Sequence, residues 1–429
     1  MKTIQKIAAL ALCIASAGPS VAHAASSSCP AADAAARAAL DARHRLQQIP
    51  SQQSDYVSET VLPAQRDAIR AYKQALVGAI DARLACSDER VEPAALQRTL
   101  AATLRASAKP AGADGHSSFG DNPTVQVERA ATPRPLVLVR TGFDVTCGDD
   151  NLLTGYVWDN SGDNGGWRRV LRWQSDDYKD VSGTYGRGFE FAALPGGQVV
   201  VVHGTPWCTS TWTHFVADVI VPANGAAPQR AVFRMSKDYW FDEDNFRLKT
   251  RPDGFELRAA VHSIDLDLLL VRPGIYRYRV DGDVVHRVQP AAANGRDFVD
   301  EWLTVDDTLA REWSDPASAA AALKARQALN EQRKAPDTSF GYGAVRGCST
   351  AKDRFQVEIA LTGKSGQTVA KRYGLIRQEA NGFTMLGLQD APEPTCRGAN
   401  LMPRLIRAGR RGAHVNRRAA ARTRTAASA

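Results

Sequence analysis

"YRYRVDGDVVHRV", residues 276–288, decides how the middle of this chain is read. Its residues alternate, so Tyr276, Tyr278 and Val280 fall on one face of an extended strand and Arg277 and Arg279 on the other. Asp281-Gly282 at its centre is a type I′ turn signature, which makes the stretch a β-hairpin. "FRLKTRPDGFELRAAV" upstream repeats the pattern around Asp253-Gly254. Working outward, "PLVLVRT", "RRVLRW", "QVVVVHG", "FVADVIV" and "FELRAAVHS" are short runs rich in β-branched and aromatic residues, separated by turn signals. Residues 135–295 are therefore expected to form a central antiparallel β domain, sandwich-like. No blade-length repeat supports a propeller.

The flanks differ in composition. Residues 25–107 are alanine-rich and helical in pattern. Ile69, Tyr72, Leu76, Ile80 and Leu84 recur every three or four positions, and Leu96, Leu100 and Leu104 make a second stripe behind Pro93. Residues 108–134 are rich in Pro, Gly and Ala and read as a linker. Residues 296–335 return to helix as a connector, with Asp315 expected as the N-cap and Pro316 as the first helical residue of its second part. Residues 338–402 read as a small β meander with "GKSG" and "NG" as turns. The fold class is thus α+β and multi-domain: a helical hairpin or bundle, a central antiparallel β domain, a helical connector, a C-terminal meander and a basic tail.

The termini bear on compartment. Residues 1–24 have a basic start, a short apolar run and "AHA" at 22–24, the pattern of a signal peptide cleaved near Ala24. No other stretch is apolar and long enough to span a bilayer. The chain is accordingly expected in the periplasm or outside the cell, where disulfides form. Of seven cysteines, Cys13 falls in the signal, leaving Cys29, Cys86, Cys147, Cys208, Cys348 and Cys396. These fall two by two into three segments, which favours pairing in sequence order: Cys29–Cys86, Cys147–Cys208 and Cys348–Cys396. The first bond would staple the helical module and contribute about 4 kcal/mol by loop entropy.

Formal charge is +8, but residues 403–429 hold eight arginines and no acid, and residues 25–402 carry −2. A basic pI is then no argument for a nucleic-acid-binding domain. The arginine-rich tail is expected to be disordered, with at most a salt-sensitive attraction to anionic polymers.

"HGTPWCTSTW", residues 203–212, raises the question of catalysis. Cys208 with His203 could be a thiol nucleophile and its base, but an exported chain with an even set of cysteines argues for a disulfide. "TGKSG" lacks the upstream glycine of a phosphate loop, since Glu358 stands there. "DNSGDNGG" departs from a calcium loop at Asn164 and Val170. No catalytic residue, metal ligand or cofactor is assigned. Carboxylates do gather at Asp144, Asp149, Asp150, Asp159, Asp163, Asp176, Asp177 and Asp180, so a hydrolase of envelope carbohydrate using an acid pair is the rival reading. A structural envelope protein is the third. Six of eight tryptophans cluster between 158 and 240, and Trp167, Trp207 and Trp212 stand beside loop residues. Aromatics on loops offer flat faces to sugars or peptides. The sequence therefore points to a non-catalytic binding protein whose partner is a glycan or an envelope protein, with Trp167, Trp207 and Trp212 as the candidate ligand residues.

Overall fold

A computed structural model describes residues 29–49, 59–105, 119–145, 148–161, 165–175, 180–181, 188–204, 212–240, 246–264, 271–288, 292–380 and 382–402. The expected signal peptide of residues 1–24, the arginine-rich stretch 403–429, Trp207 and the expected Cys147–Cys208 pairing lie outside these residues.

Three helices open the fold: α1 (Pro30–Gln47), α2 (Pro63–Ala85) and α3 (Pro93–Arg105). Each starts on proline, whose fixed φ and missing N–H cost nothing in a first turn. Cys29 and Cys86 are bonded, joining the start of α1 to the end of α2. Every residue of the two expected stripes is buried, from Ile69 to Leu84 and from Leu96 to Leu104.

Their partner is a sheet. Strands β2 (Thr124–Ala130), β3 (Leu136–Val145), β4 (Gly148–Asp159) and β5 (Gly166–Gln174) pair in chain order. Ile80, Leu84, Leu96 and Leu100 pack on Val127, Val137, Val139 and Tyr156 of this sheet. Strand β2 corrects the linker reading of 108–134. "TVQVERA" pairs with β3 along its whole length, because Val127 can be buried under α3 while its polar neighbours stay wet. Two-residue strands β1 (Glu59–Thr60) and β6 (Asp180–Val181) pair at the margin.

The second sheet is larger. It contains β7 (Phe189–Ala193), β8 (Val199–Gly204), β9 (Trp212–Val221), β10 (Arg230–Trp240), β11 (Arg247–Arg251), β12 (Gly254–His262), β13 (Val271–Asp281) and β14 (Val284–Val288). The order is β14-β13-β12-β10-β9-β8-β7, with β11 also on β12. The sheet curls so far that the Leu248 amide of β11 donates to Glu190 of β7. One face meets the small sheet, where Leu138, Leu153 and Trp173 pack on Val199, Val201 and Ile220. Its other face closes on itself around Phe215, Tyr239, Phe246, Phe255 and Tyr276. This explains the unbroken valines of "VVVVHG": Val199 and Val201 face the small sheet, Val200 and Val202 the curled interior.

Both hairpin turns lie one residue from the expected position. Asp281 pairs with Val284, so the loop is Gly282-Asp283, with φ +56° at Gly282 and no positive φ at Asp283. That is the II′ pattern, with glycine first. In the other hairpin Arg251 pairs with Gly254, leaving Pro252-Asp253 as the loop. Gly254 has φ +158°, and a Cβ there would stand 2.1 Å from the Tyr278 carbonyl oxygen. Glycine is retained for that close approach rather than for the turn.

The C-terminal unit stacks α4 (Gly295–Thr304), α5 (Asp307–Glu312) and α6 (Ala319–Lys334) on a meander of β15 (Ser339–Cys348), β16 (Ala351–Thr362), β17 (Thr368–Glu379) and β18 (Gly382–Gln389). The connector helices supply half of its core: Phe298, Trp302 and Leu329 pack on Val357, Ile359, Ile376 and Met385. Helix α6 starts three residues later than expected. Residues 315–318 form a turn whose Asp315 carbonyl accepts from Ser318 and Ala319. Cys348 and Cys396 are bonded. Among the described residues no helix is long and apolar enough to cross a membrane.

Candidate functional site

Among the described carboxylates of 144–180, Asp144, Asp150 and Asp159 are committed to the scaffold. Asp150 is fully buried against the Lys73 ammonium at 3.3 Å, and Lys73 also donates to the Ser175 carbonyl at 3.0 Å. This pair ties α2 to the small sheet. Asp144 accepts from Asn122 at 2.6 Å, and Asp159 from Arg168 at 2.9 Å. Asp149 is the cross-strand partner of Asp144 and lies within the field of Arg140. Asp163, Asp176 and Asp177, and the side chain of Asp180, lie outside the described residues. His203 is buried between the sheets, with its ring 4.7 Å from Trp173. Trp173 donates to Asp218 at 2.9 Å. Among the described residues no group of three or more His, Cys, Asp and Glu could hold a metal.

A second set of charges is sealed between the curled sheet and α4. Arg272 of β13 and Arg287 of β14 meet Asp300 and Glu301: Arg272 Nε donates to Asp300 at 2.6 Å and Arg287 to Glu301 at 2.5 Å, and Arg272 also pairs with Glu301. Ser263, the Ile264 amide and Tyr342 add donors to Asp300 at 3.0, 3.0 and 3.2 Å. Burial alone would raise the Glu301 carboxyl. Arg287 and Arg272 outweigh it and hold the group down at about 2. Asp297, one turn earlier, is pushed up by burial to about 6 despite nearby Arg272 and Arg296. The network docks α4 on the rim of the curled sheet and presents no open group to a substrate.

A cavity of about 270 Å³ lies between the turns at Thr132–Arg134, Gly196–Gln198, Val221–Asn224 and Gly282–Asp283. Its lining is chiefly apolar side chains and turn backbone, with Arg134 and Asp283 as its charged residues. It holds no acid–base pair, and none of the tryptophans lines it.

The tryptophans divide into three environments. Trp173 is core. Trp167 stands opposite Trp158 across β4–β5, with ring centroids 5.5 Å apart at 78°. Its indole N–H donates to the Asp88 carbonyl at 3.0 Å, and Arg129 lies over the ring at 5.8 Å while binding the Glu89 and Val91 carbonyls. Trp167 thus grips the α2–α3 turn. Trp212 stands opposite Trp240 across β9–β10, at 5.4 Å and 81°, and its ring is 4.8 Å from that of His262 on β12. Both indoles are half-buried and His262 is exposed.

The register explains why these three rings share one surface. In β9, Phe215, Ala217 and Val219 point into the curled interior, so Trp212 points out. In β12, Phe255, Leu257, Ala259 and Val261 point in, so His262 points out. The result is an aromatic platform where β9, β10 and β12 end side by side. Sequence reasoning placed Trp212 near a loop but missed His262 as its neighbour, because only the β10–β12 pairing joins the two. Trp167 belongs to the other sheet and is not part of this platform.

No protein-family model matches this chain, and no curated protein or solved structure matches it significantly.

Proposed function

We propose that this is an exported, disulfide-bonded binding protein of the bacterial envelope or extracellular space, and that its ligand is a glycan taken on the Trp212–Trp240–His262 platform. The carrying observation is the pair of half-exposed indoles held edge to face on an outward sheet surface, with a third ring alongside. Rings fixed by cross-strand pairing lose little conformational freedom when a sugar face stacks on them. Export is supported by the N-terminal signal pattern and by the two disulfides. The hydrolase reading is weakened by the engagement of Asp144, Asp150 and Asp159 in scaffold contacts.

A glycan array probed with the full chain and with Trp212→Ala and Trp240→Ala tests the reading. Binding by the wild type that both substitutions weaken at least tenfold, with thermal melts little changed, is the expected result. Binding indifferent to both substitutions, or a protein ligand captured at another surface, would refute it.

A further inference from the structure

We infer that the ligand is an acidic polysaccharide, its sugar rings on the aromatic platform and its carboxylates on an arginine ladder that continues along the same face. The inference rests on the glycan reading above and specifies its substrate class.

The ladder follows from strand register. Arg247 pairs with Arg258, Lys249 with Glu256, and Arg251 with Gly254 across β11–β12. Glu256 pairs with Arg277 and Gly254 with Arg279 across β12–β13. The intervening residues Phe255, Leu257, Tyr276 and Tyr278 fill the curled interior, so all six bases lie on the outward face. They repeat every second residue, about 7 Å along each strand and about 4.8 Å between strands. Such a repeat matches a polymer with regularly spaced anions better than a single small ion.

Glu256 organises the ladder. It is buried, and it accepts from Arg258 at 2.7 Å and from Arg277 at 2.8 and 3.1 Å, with Arg251 at 3.6 Å. Burial would raise its pKa, but the hydrogen bonds from Arg277 and Arg258 prevail and lower it. One carboxylate therefore fixes two guanidiniums while leaving most of their five N–H groups directed elsewhere. Arg258 remains 61% exposed. Fixed, planar guanidiniums bind carboxylates in bidentate fashion at low entropic cost. Lys249 and Arg279 are exposed and have no carboxylate partner among the described residues. Among the described residues, Asp253 and Asp281 stand at the margin of this face by the turns and Asp238 by the aromatic end, and Glu190 of β7 lies within the field of Arg247.

Platform and ladder are contiguous. His262 and Arg258 are four residues apart on β12, so they share a face at about 13 Å, and Trp240 follows the Tyr239–Val261 pair one residue on. The aromatic end contacts ring faces irrespective of charge, and the ladder selects for acid. Nucleic acids and anionic lipid surfaces would satisfy the ladder but not require the indoles to act on sugar rings.

The test uses the full chain with polygalacturonate as the acidic polymer and its fully methyl-esterified form as the neutral one. Affinities are measured by calorimetry at low and high salt. Polygalacturonate should bind at least tenfold more tightly than the ester, and salt should erase the difference. Lys249→Gln with Arg279→Gln, which removes no ion pair with a described carboxylate, should remove most of that preference. Arg258→Gln should do the same. Trp212→Ala should weaken both polymers. Equal binding of the two polymers, untouched by the basic-residue variants, would overturn the acidic ligand while leaving the glycan reading intact. Failure to bind either polymer would overturn both. Equal affinity for single-stranded DNA or for phosphatidylglycerol vesicles, insensitive to Trp212→Ala, would mark a general polyanion surface and overturn the proposal. Salt-sensitive binding that ignores every variant would belong to the arginine tail and would overturn it too.

Discussion

Trp158–Trp167 and Trp212–Trp240 are nearly the same object built twice. Each is a directly opposed cross-strand pair, at 5.5 and 5.4 Å and 78° and 81°. What differs is the third partner. The first pair is covered by the α2–α3 turn, to which Trp167 donates a hydrogen bond, and Gly165 lies so close beneath Trp158 that a Cβ would stand 2.7 Å from the ring. The second is flanked by exposed His262 of β12. The glutamate–arginine clusters repeat the contrast. Glu301 and its arginines are sealed under α4, whereas Glu256 is buried beneath arginines that reach solvent. Identical local geometry therefore serves two ends. All four indoles are half-buried, but the Trp158–Trp167 pair is tied to the α2–α3 turn and holds layers together, whereas the Trp212–Trp240 pair has a ring of the same sheet beside it.

The strongest way to break this comparison is at the sealed cluster. Glu301→Gln leaves Arg272 and Arg287 buried without their full charge partner and should cost about 3–5 kcal/mol in urea unfolding. The pH profile gives an independent check. Glu301 titrates at about 2 in the fold against an ordinary 4.5. The folded state thus binds the proton less readily than the unfolded chain. Its contribution is fully present above about pH 5 and is lost as pH falls through 4.5 toward 2. The variant should lack that part of the acid limb. A midpoint unchanged by the substitution would mean that the cluster is not sealed in solution.

Next in size is the open pair. Trp212→Ala should weaken glycan binding tenfold or more, about 1.4 kcal/mol, with unfolding shifted by less than about 1 kcal/mol. The covered pair should behave inversely. Trp167→Ala should cost about 1–2 kcal/mol of stability through the lost Asp88 bond and ring contacts, and leave glycan affinity unchanged. Equal stability losses at Trp167 and Trp212 would erase the distinction. Smallest is Glu256→Gln. Its arginines can turn to water, so the loss should be about 1 kcal/mol or less by thermal melt. A loss as large as that of Glu301→Gln would show that the open cluster is a second structural staple.

Much of the fold was legible in the chain because local pattern and burial agree there. The stripes Ile69–Leu84 and Leu96–Leu104 are buried as their spacing demands, and Cys29–Cys86 and Cys348–Cys396 close the modules they bracket. The linker reading failed over 124–130, since a seven-residue strand with one buried valine hardly differs in composition from the loop around it. The turn readings slipped by one residue. A glycine can serve a turn or a close backbone approach, and Gly254 serves the latter.

The candidate site was legible only in part. Trp212 stands out by its loop context, but nothing in "RLKTRPDGFELRAAVHS" joins Arg247, Arg258 and His262 to it. By itself the sequence determined most of the helices and strands, which faces are apolar, and the Cys29–Cys86 and Cys348–Cys396 pairs, because these depend on residues close in the chain. Tertiary structure alone decided which tryptophan pair is tied to the α2–α3 turn and which carboxylates are buried. It also decided that six bases from three strands share one face with Trp212, Trp240 and His262. The physical reason is that pairing across β9, β10 and β12, and the curl that turns Phe215 and Tyr276 inward, are set by contacts between residues far apart in the chain.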